Sequence, residues 1–282
     1  MPENASTDAP SEPATPVPAA TVMLVRDTSD GVEVFLMERS GFGAFGGLHV
    51  FPGGKLDPSD GDAVWADIAE GVDDAWASGR LGLERGGLAY WVAVIRECFE
   101  EAGVLLATRE DGELLPLTDP ERRARFAGWR ERLNGGEKTA FEQMCLDEGL
   151  RLATDRLGYV SHWITPITEA RRYNTRFFVV RAPEKQEALH DGFETVESHW
   201  LRPEDALDRY AQGELNLISP TFKNLEAIAG FDTTGSLLAA KRAVDPATIP
   251  MILPQISRKA GGGFDEEISI VGRGGKAFEE GR

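Results

Sequence analysis

The strongest structural signal in this sequence is a helical pattern between Leu88 and Leu106. Apolar residues recur in it at spacings of three and four, namely Val92, Ile95, Phe99 and Ala102. Such spacing places these side chains on one face of a helix. Gly103 follows them, and glycine readily takes the left-handed conformation that ends a helix. The sequence therefore predicts an amphipathic helix whose apolar face packs against a core.

Three glutamates lie beside this apolar stripe: Glu97, Glu100 and Glu101. At 100° per residue, Glu97 and Glu101 lie one above the other, with Glu100 beside them. Neighbouring carboxylates repel one another, and a hard divalent cation, which prefers oxygen ligands, would remove that repulsion. Arg96 precedes Glu100 by one helical turn and can orient a carboxylate. The alternative interpretation is a solvated acidic helix face, which is common.

A glycine turn lies upstream of this helix. Phe51-Pro52-Gly53-Gly54 ends a short apolar segment of strand character. Glycines allow the backbone to approach a helix or a ligand closely. Strand, turn and carboxylate helix together predict a site that holds Mg²⁺ against a diphosphate.

In these residues the chain resembles the Nudix hydrolase family. The family signature is G-x5-E-x7-R-E-U-x-E-E-x-G-U, where U is apolar. Its second half matches Arg96-Glu97-Cys98-Phe99-Glu100-Glu101-Ala102-Gly103-Val104, with Cys98 taken as apolar. Gly54 would open the signature, and an insertion over about 55–87 interrupts it. Counted back from Arg96, the early Glu of the signature falls on Leu88, so we expect that carboxylate to be missing.

The resemblance implies an α/β fold, a Nudix-type α/β/α sandwich with a mixed β-sheet and helical insertions. It also implies hydrolysis of a nucleoside diphosphate derivative with Mg²⁺ or Mn²⁺ as cofactor. Glu97 and Glu101 would be direct metal ligands and Glu100 a ligand or an outer partner. Any of the three could be the general base, and Arg96 would orient the cluster.

The place of the insertion, directly after the glycine turn, is similar to the branch of peroxisomal coenzyme A diphosphatases and their bacterial relatives. Cleavage of CoA or acyl-CoA into 3′,5′-ADP and (acyl-)4′-phosphopantetheine is therefore the first hypothesis. A pyrophosphatase acting on ADP-ribose, NAD(H) or a dinucleotide is the alternative. A non-catalytic, nucleotide-binding regulator is a further one, but such proteins usually lose carboxylates that this chain keeps. The last alternative is an interaction protein that binds its partner through the charged segment 119–156.

Other side chains are candidates for the same site. Candidate substrate contacts are Gly53, Gly54, Arg39, Arg172 and Arg176, with the arginines suited to phosphate or carboxylate groups. Glu194 and Glu197 are candidates for an extra carboxylate. The alternative for each charged residue is a solvated position at a strand end.

The chain divides into three parts by composition and pattern. Residues 1–18 are rich in Pro, Ala, Ser and Thr, which predicts a disordered lead-in. Residues 19–235 are predicted to form the Nudix domain, with the insertion at about 55–87 and a helical insertion at about 119–156. Residues 236–282 are predicted to be a C-terminal extension, partly mobile because it is Gly-rich from about 257.

Within the predicted domain, two strands at 19–25 and 32–37 would form a hairpin around Asp30-Gly31. Later strands are expected near 163–164, 175–181 and 194–201. Two more helices are expected, one starting at Pro203 and one over 220–229.

The formal net charge is −17, which disfavours nucleic acid held mainly by charge. Two cysteines, Cys98 and Cys145, give neither a zinc site nor a disulfide framework. The first residues lack the pattern of a secretory signal, and no apolar run is long enough to span a membrane. We therefore expect a cytoplasmic protein with a small nucleotide-type substrate, no nucleic-acid partner and no membrane association. The resemblance adds the expectation of a homodimer.

Overall fold

The computed structural model describes residues 13–40, 47–189, 195–258 and 264–271. Its strands are β1 (Val17–Thr28), β2 (Gly31–Arg39), β3 (His49–Val50), β4 (Gly53–Lys55), β5 (Ala107–Thr108), β6 (Arg151–Leu152), β7 (Gly158–Ile164), β8 (Tyr173–Arg181), β9 (Thr195–Leu201), β10 (Met251–Arg258) and β11 (Phe264–Val271). Its helices are α1 (Trp65–Ile68), α2 (Asp74–Leu81), α3 (Leu88–Ala102), α4 (Pro120–Asn134), α5 (Ala140–Asp147), α6 (Pro203–Ala211), α7 (Ser219–Ile228) and α8 (Thr234–Ala243).

A nine-stranded mixed sheet organises these elements. Along its main path the order is β11-β10-β7-β8-β1-β2-β3, while β4 pairs with β1 and β9 with β2. The β1–β8 and β7–β10 pairs are parallel and the others antiparallel. A separate two-stranded sheet joins β5 and β6. The predicted hairpin is confirmed, because β1 and β2 turn at Thr28 and Gly31.

The sheet buries both of its faces under helices. Successive side chains of a strand point to opposite faces, and β1 shows this clearly. Val22 and Leu24 belong to a core shared with α3, whereas Met23 and Val25 belong to a second core, shared with α6, α7 and α8. The predicted α/β/α sandwich with a mixed sheet is confirmed.

Helix α3 is the central helix of the first core. The carboxylate of Asp74 accepts hydrogen bonds from the amides of Gly86 and Leu88 at 3.0 Å each, so it caps the start of the helix. Gly103 ends the helix with φ of +67°. The apolar stripe is buried as predicted. The prediction was too long at its end, because residues 104–106 are buried without being helical.

The two insertions contain short helices. The first holds a 3-10 turn at Pro58–Gly61, then α1 and α2. The second holds α4 and α5, and Asp119 caps α4 by accepting from the amide of Arg122 at 2.8 Å. Among the described residues, no helix is long and apolar enough to cross a membrane.

The C-terminal part contains more regular structure than the sequence predicted. Helix α8 and strand β10 follow residue 235, and β11 pairs with β10 along its whole length. The sequence analysis did not anticipate strand β11 at 264–271, and the expected mobility of the tail from about 257 stays a prediction. Backbone hydrogen bonds to a neighbouring strand can order a segment whose composition gives little sign of it. Residues 1–12 and 272–282 lie outside the described residues, and the domain boundaries stay predictions.

Candidate active site

A cleft of about 1550 Å³ opens beside α3 and β4. Glu97, Glu100 and Glu101 line one part of it together with Gly53 and Gly54. The sheet and the segment before α7 line another part with mostly apolar side chains, including Trp163, Phe177, Leu217 and Ile218. Since ordinary small-molecule pockets measure roughly 300–1,000 Å³, the cleft has room for a large substrate.

Arg96 lies at the centre of the charged cluster, with 8% of its side chain exposed. Its Nη1 donates to Glu97 Oε1 at 2.8 Å and to Glu100 Oε1 at 3.2 Å. Its Nη2 donates to the carbonyl oxygen of Lys55 in β4 at 2.9 Å. Burial lowers the pKa of Arg96, but the surrounding carboxylates raise it more, so the guanidinium stays charged. Arg96 therefore binds two carboxylates of α3 and ties α3 to β4, while its role in orienting the cluster stays a prediction.

Asp60 is a further partner of Arg96 that the sequence reasoning missed. Arg96 Nε and Nη2 donate to its two carboxylate oxygens at 2.8 and 2.9 Å. The side chain of Asp60 is 1% exposed. Counted forward from Gly54, Asp60 occupies the position of the early Glu in the family signature, after five intervening residues. The expected absence of this carboxylate was therefore wrong, because counting back from Arg96 ran through the insertion to Leu88.

Both glycines of the turn contact the carboxylates of α3. The amide of Gly53 donates to Glu101 Oε2 at 2.7 Å. A Cβ atom on Gly54 would lie 2.6 Å from Glu97 Oε2. A Cβ atom on Gly53 would lie 2.5 Å from the carbonyl oxygen of Ala20 in β1. The turn therefore needs glycine because backbone, strand and carboxylates meet there without space for a side chain. A contact of either glycine with substrate stays a prediction.

The electrostatics of the cluster suit a divalent cation. Burial raises the pKa of Glu97 to about 7, even though the charge of Arg96 lowers it. Burial also raises the pKa of Glu100, against the same effect of Arg96. Within the described ranges, no three carboxylate, imidazole or thiol groups are already arranged as a cation site. An all-oxygen donor set buried at a cost is the chemistry that Mg²⁺ or Mn²⁺ prefers.

The arginine candidates fall in different places. Arg39 lines the cleft. Arg172 and Arg176 do not, and both are buried. Arg172 Nε donates to the carbonyl of Thr165 at 3.0 Å, and Arg176 Nη2 to that of Leu81 at 3.4 Å. These two are therefore not placed to contact a substrate in the cleft, and the solvated alternative is also wrong.

The alternation along β8 explains this placement. Tyr173, Thr175 and Phe177 of β8 line the cleft at every second position, and Arg171, two residues before the strand begins, lines it too. Arg172 and Arg176 point to the other face. Arg171 is thus a cationic residue of the cleft that the sequence reasoning missed, and period-two counting from Tyr173 would have found it.

Of the two candidates for an extra carboxylate, only Glu197 is among the described residues, and it is not brought to the cleft. Glu197 lies in β9 with 61% of its side chain exposed and approaches His199 Nε2 at 3.5 Å. It is not among the residues that line the cleft. Glu194 lies outside the described residues.

These features, a carboxylate helix against a glycine turn within an α/β/α sandwich, define a Nudix-type domain. Residues 77–228, more than half of the chain, match the NUDT19 Nudix domain family, and the chain belongs to this family. The crystal structure of a NUDIX hydrolase from Alicyclobacillus acidocaldarius superposes with a TM-score of 0.66 at 25% identity, covering 80% of this chain and 96% of that one.

Curated relatives point to one branch of the family. The chain is 27% identical over 237 residues to the acyl-coenzyme A diphosphatase NUDT19 of Xenopus laevis, covering 73% of this chain and 61% of the relative. It is 26% identical over 240 residues to the enzyme of the same name from Homo sapiens, covering 74% of this chain and 64% of the relative. The chain therefore spans less than two thirds of the length of these relatives.

Proposed function

We propose that this protein is a hydrolase, dependent on Mg²⁺ or Mn²⁺, that cleaves the diphosphate linkage of CoA or acyl-CoA. The products would be 3′,5′-ADP and 4′-phosphopantetheine or its acyl form. One observation carries the reaction class: Arg96 gathers Asp60, Glu97 and Glu100 beside a glycine turn at the floor of an open cleft. The substrate is proposed from the similarity of the chain to acyl-coenzyme A diphosphatases.

The residues divide into two roles. Glu97, Glu100 and Glu101 would hold the cation with their carboxylate oxygens, while Arg96 and Asp60 are positioning residues. When bound, the cation supplies positive charge to phosphoryl oxygens and lowers the pKa of a water molecule. Gly53 keeps Glu101 in place through its amide, and Arg96 restrains Glu97 and Glu100. The glutamates are thus oriented toward the cleft before substrate arrives.

The rest of the cleft supports a substrate with a charged part and an apolar part. Lys55, Lys138 and Arg171 line it and provide cationic groups for phosphates despite the acidic net charge of the chain. Trp163, Phe177 and Ile218 line it with apolar surface. An acyl-pantetheine arm linked to a phosphorylated nucleotide combines these two kinds of surface.

The test is a panel of diphosphates incubated with Mg²⁺ or Mn²⁺, with products identified by mass. The panel contains CoA, acetyl-CoA, a longer acyl-CoA, ADP-ribose, NADH and diadenosine polyphosphates. Release of 3′,5′-ADP from CoA or acyl-CoA supports the proposal. Release of AMP from ADP-ribose or NADH alone would replace it with the alternative pyrophosphatase. Binding without hydrolysis of any compound would favour a regulator.

A matched pair of variants tests the reaction centre. Glu101→Gln should lower kcat by about two orders of magnitude or more, since Glu101, the proposed cation ligand that also accepts from the Gly53 amide, loses its charge. Glu197→Gln is the control, because this exposed residue lies outside the cleft lining. Hydrolysis by Glu101→Gln at the wild-type rate would contradict the mechanism. A cytoplasmic location and a homodimeric state stay predictions from the sequence.

A further inference from the structure

The C-terminal end of α3 is held by groups from outside the helix. The last four carbonyl oxygens of a helix lack partners within it. In α3 all four accept hydrogen bonds: Phe99 from the amide of Gly103 at 3.0 Å, Glu100 and Glu101 from Arg130 at 2.8 and 2.6 Å, and Ala102 from the amide of Leu189 at 2.9 Å. Two of these four carbonyls belong to residues that carry the reaction-centre carboxylates.

Two of these four described donors are nitrogen atoms of the Arg130 side chain, and the other two are backbone amides. Arg130 lies in α4, within the segment 119–156. Its Nε donates to the carbonyl of Glu100 and its Nη2 to that of Glu101, while Nη2 also donates to the carbonyl of Leu189 at 3.2 Å. A planar guanidinium matches two adjacent carbonyls, and its charge is favourable at the negative end of a helix dipole. One side chain therefore joins α3, α4 and the segment before residue 190.

The fit around Arg130 is close. A Cβ atom on Gly103 would lie 2.9 Å from Arg130 Nη1. Gly103 also has φ of +67°, a conformation that side chains disfavour. The glycine thus serves the helix end twice, through its conformation and through the space it leaves for the guanidinium.

We propose that Arg130 is a positioning residue for the cation site, and that α4 holds the reaction-centre helix through it. By fixing the peptide groups of Glu100 and Glu101, Arg130 fixes the points from which both carboxylates start. This assigns a task to the helical segment 119–156. The inference rests on the proposed function in one respect, namely that these carboxylates hold a divalent cation.

The experiment compares Arg130→Ala and Arg130→Lys with Arg125→Ala in the full chain. Arg125 is the matched control, because it is an arginine of the same helix whose exposed guanidinium binds the carboxylate of Glu148 at 2.7 and 2.9 Å, away from α3. Mn²⁺ affinity is measured by electron paramagnetic resonance of the free ion, without substrate. The kcat and KM for the substrate found in the panel, and the unfolding midpoint, are measured alongside.

We expect Arg130→Ala to weaken Mn²⁺ binding and lower kcat by about tenfold, as loss of an outer support of metal ligands does, with KM little changed. Arg130→Lys, which keeps the charge but not the fork, should recover part of both. Arg125→Ala should match wild type. A purely structural role would lower the unfolding midpoint of Arg130→Ala and leave Mn²⁺ affinity and kcat unchanged, which would overturn the proposal.

Two further outcomes are decided by the same data. If Arg130→Ala does not fold, Arg130→Lys replaces it, and Mn²⁺ affinity equal to wild type in that variant overturns the proposal. If wild type binds Mn²⁺ but hydrolyses no diphosphate, the proposed function fails while the Mn²⁺ comparison still judges Arg130.

Discussion

Removal of the Asp60 charge should damage both the fold and the reaction centre. Asp60 and Arg96 form two hydrogen bonds, of 2.8 and 2.9 Å, with 1% and 8% of their side chains exposed. Asp60→Asn keeps the shape of the side chain but offers Arg96 one acceptor oxygen where two are needed. The amide N–H of the asparagine would then face an N–H group of the Arg96 guanidinium. A hydrogen bond to a charged group contributes about 1.5–3 kcal/mol. We expect the free energy of unfolding to fall by that amount.

The truncation Asp60→Ala should cost more. It leaves a buried guanidinium with one opposing charge fewer, and breaking a buried ion pair in this way costs roughly 3–5 kcal/mol. Arg96 would then be held mainly by Glu97 and Glu100, and the orientation of those carboxylates would change. Loss of such outer support lowers kcat by about ten- to a hundredfold in metal sites.

Urea unfolding and steady-state kinetics of both variants test this reasoning. Asp62→Asn is the control, since it makes the same change two residues away on an exposed side chain. It should stay within about 0.5 kcal/mol of wild type, as surface substitutions do. If Asp60→Asn behaves like Asp62→Asn in both measurements, then Asp60 does not support the cluster.

Three other predictions concern the turn, the start of α3 and the cation. Gly53→Ala should destabilise the protein by about 1–3 kcal/mol and lower kcat, because the added Cβ atom would collide with the backbone of β1. Gly61→Ala is the control and should change neither quantity, because open space surrounds Gly61. Urea unfolding and steady-state kinetics measure both effects. Asp74→Ala should lower the free energy of unfolding by about 0.5–2 kcal/mol at pH 7, because a helix cap is lost. Burial raises the pKa of Asp74, but the hydrogen bonds from the amides of Leu88 and Gly86 outweigh burial and lower it, so the stabilisation is present above the ordinary pKa of 3.8. The difference in urea midpoint between variant and wild type should therefore shrink as the pH falls below that value. Mg²⁺ at a hundredfold excess over its Kd should stabilise wild type by about 2.7 kcal/mol, and a calorimetric shift equally large in Glu101→Gln would contradict the assigned ligands.

The sequence predicted the parts of the structure that repeat with a period. The stripe from Val92 to Ala102 identified α3, and Gly103 identified its end. The two apolar runs of strand length on either side of Asp30-Gly31 identified the opening hairpin. Glu97 and Glu100 meet Arg96 as the register of one helix requires. These successes share a cause, since each depends on residues close together in sequence.

The errors arose where the chain returns from a distance. Asp60 and Arg96 meet across an insertion, so counting in one direction along the signature gave the wrong residue. Arg172 and Arg176 were judged by residue type, although the alternation of β8 directs them away from Tyr173 and the cleft. The β10–β11 pair is held by backbone hydrogen bonds, which composition does not reveal. Arg130 contacts α3 through carbonyl groups, and no side-chain pattern records such a contact.

The insertion itself explains how an interrupted signature can still build one site. Its first end is fixed where Asp60 binds Arg96, and its last end where Asp74 caps the amides of Gly86 and Leu88. Both attachments reach α3, one within its body and one at its start. The residues between them are folded as well, since Trp65 and Val72 are buried in the core that contains α3. The two carboxylates Asp60 and Asp74, together with this buried packing, therefore hold the two halves of the interrupted signature at one site.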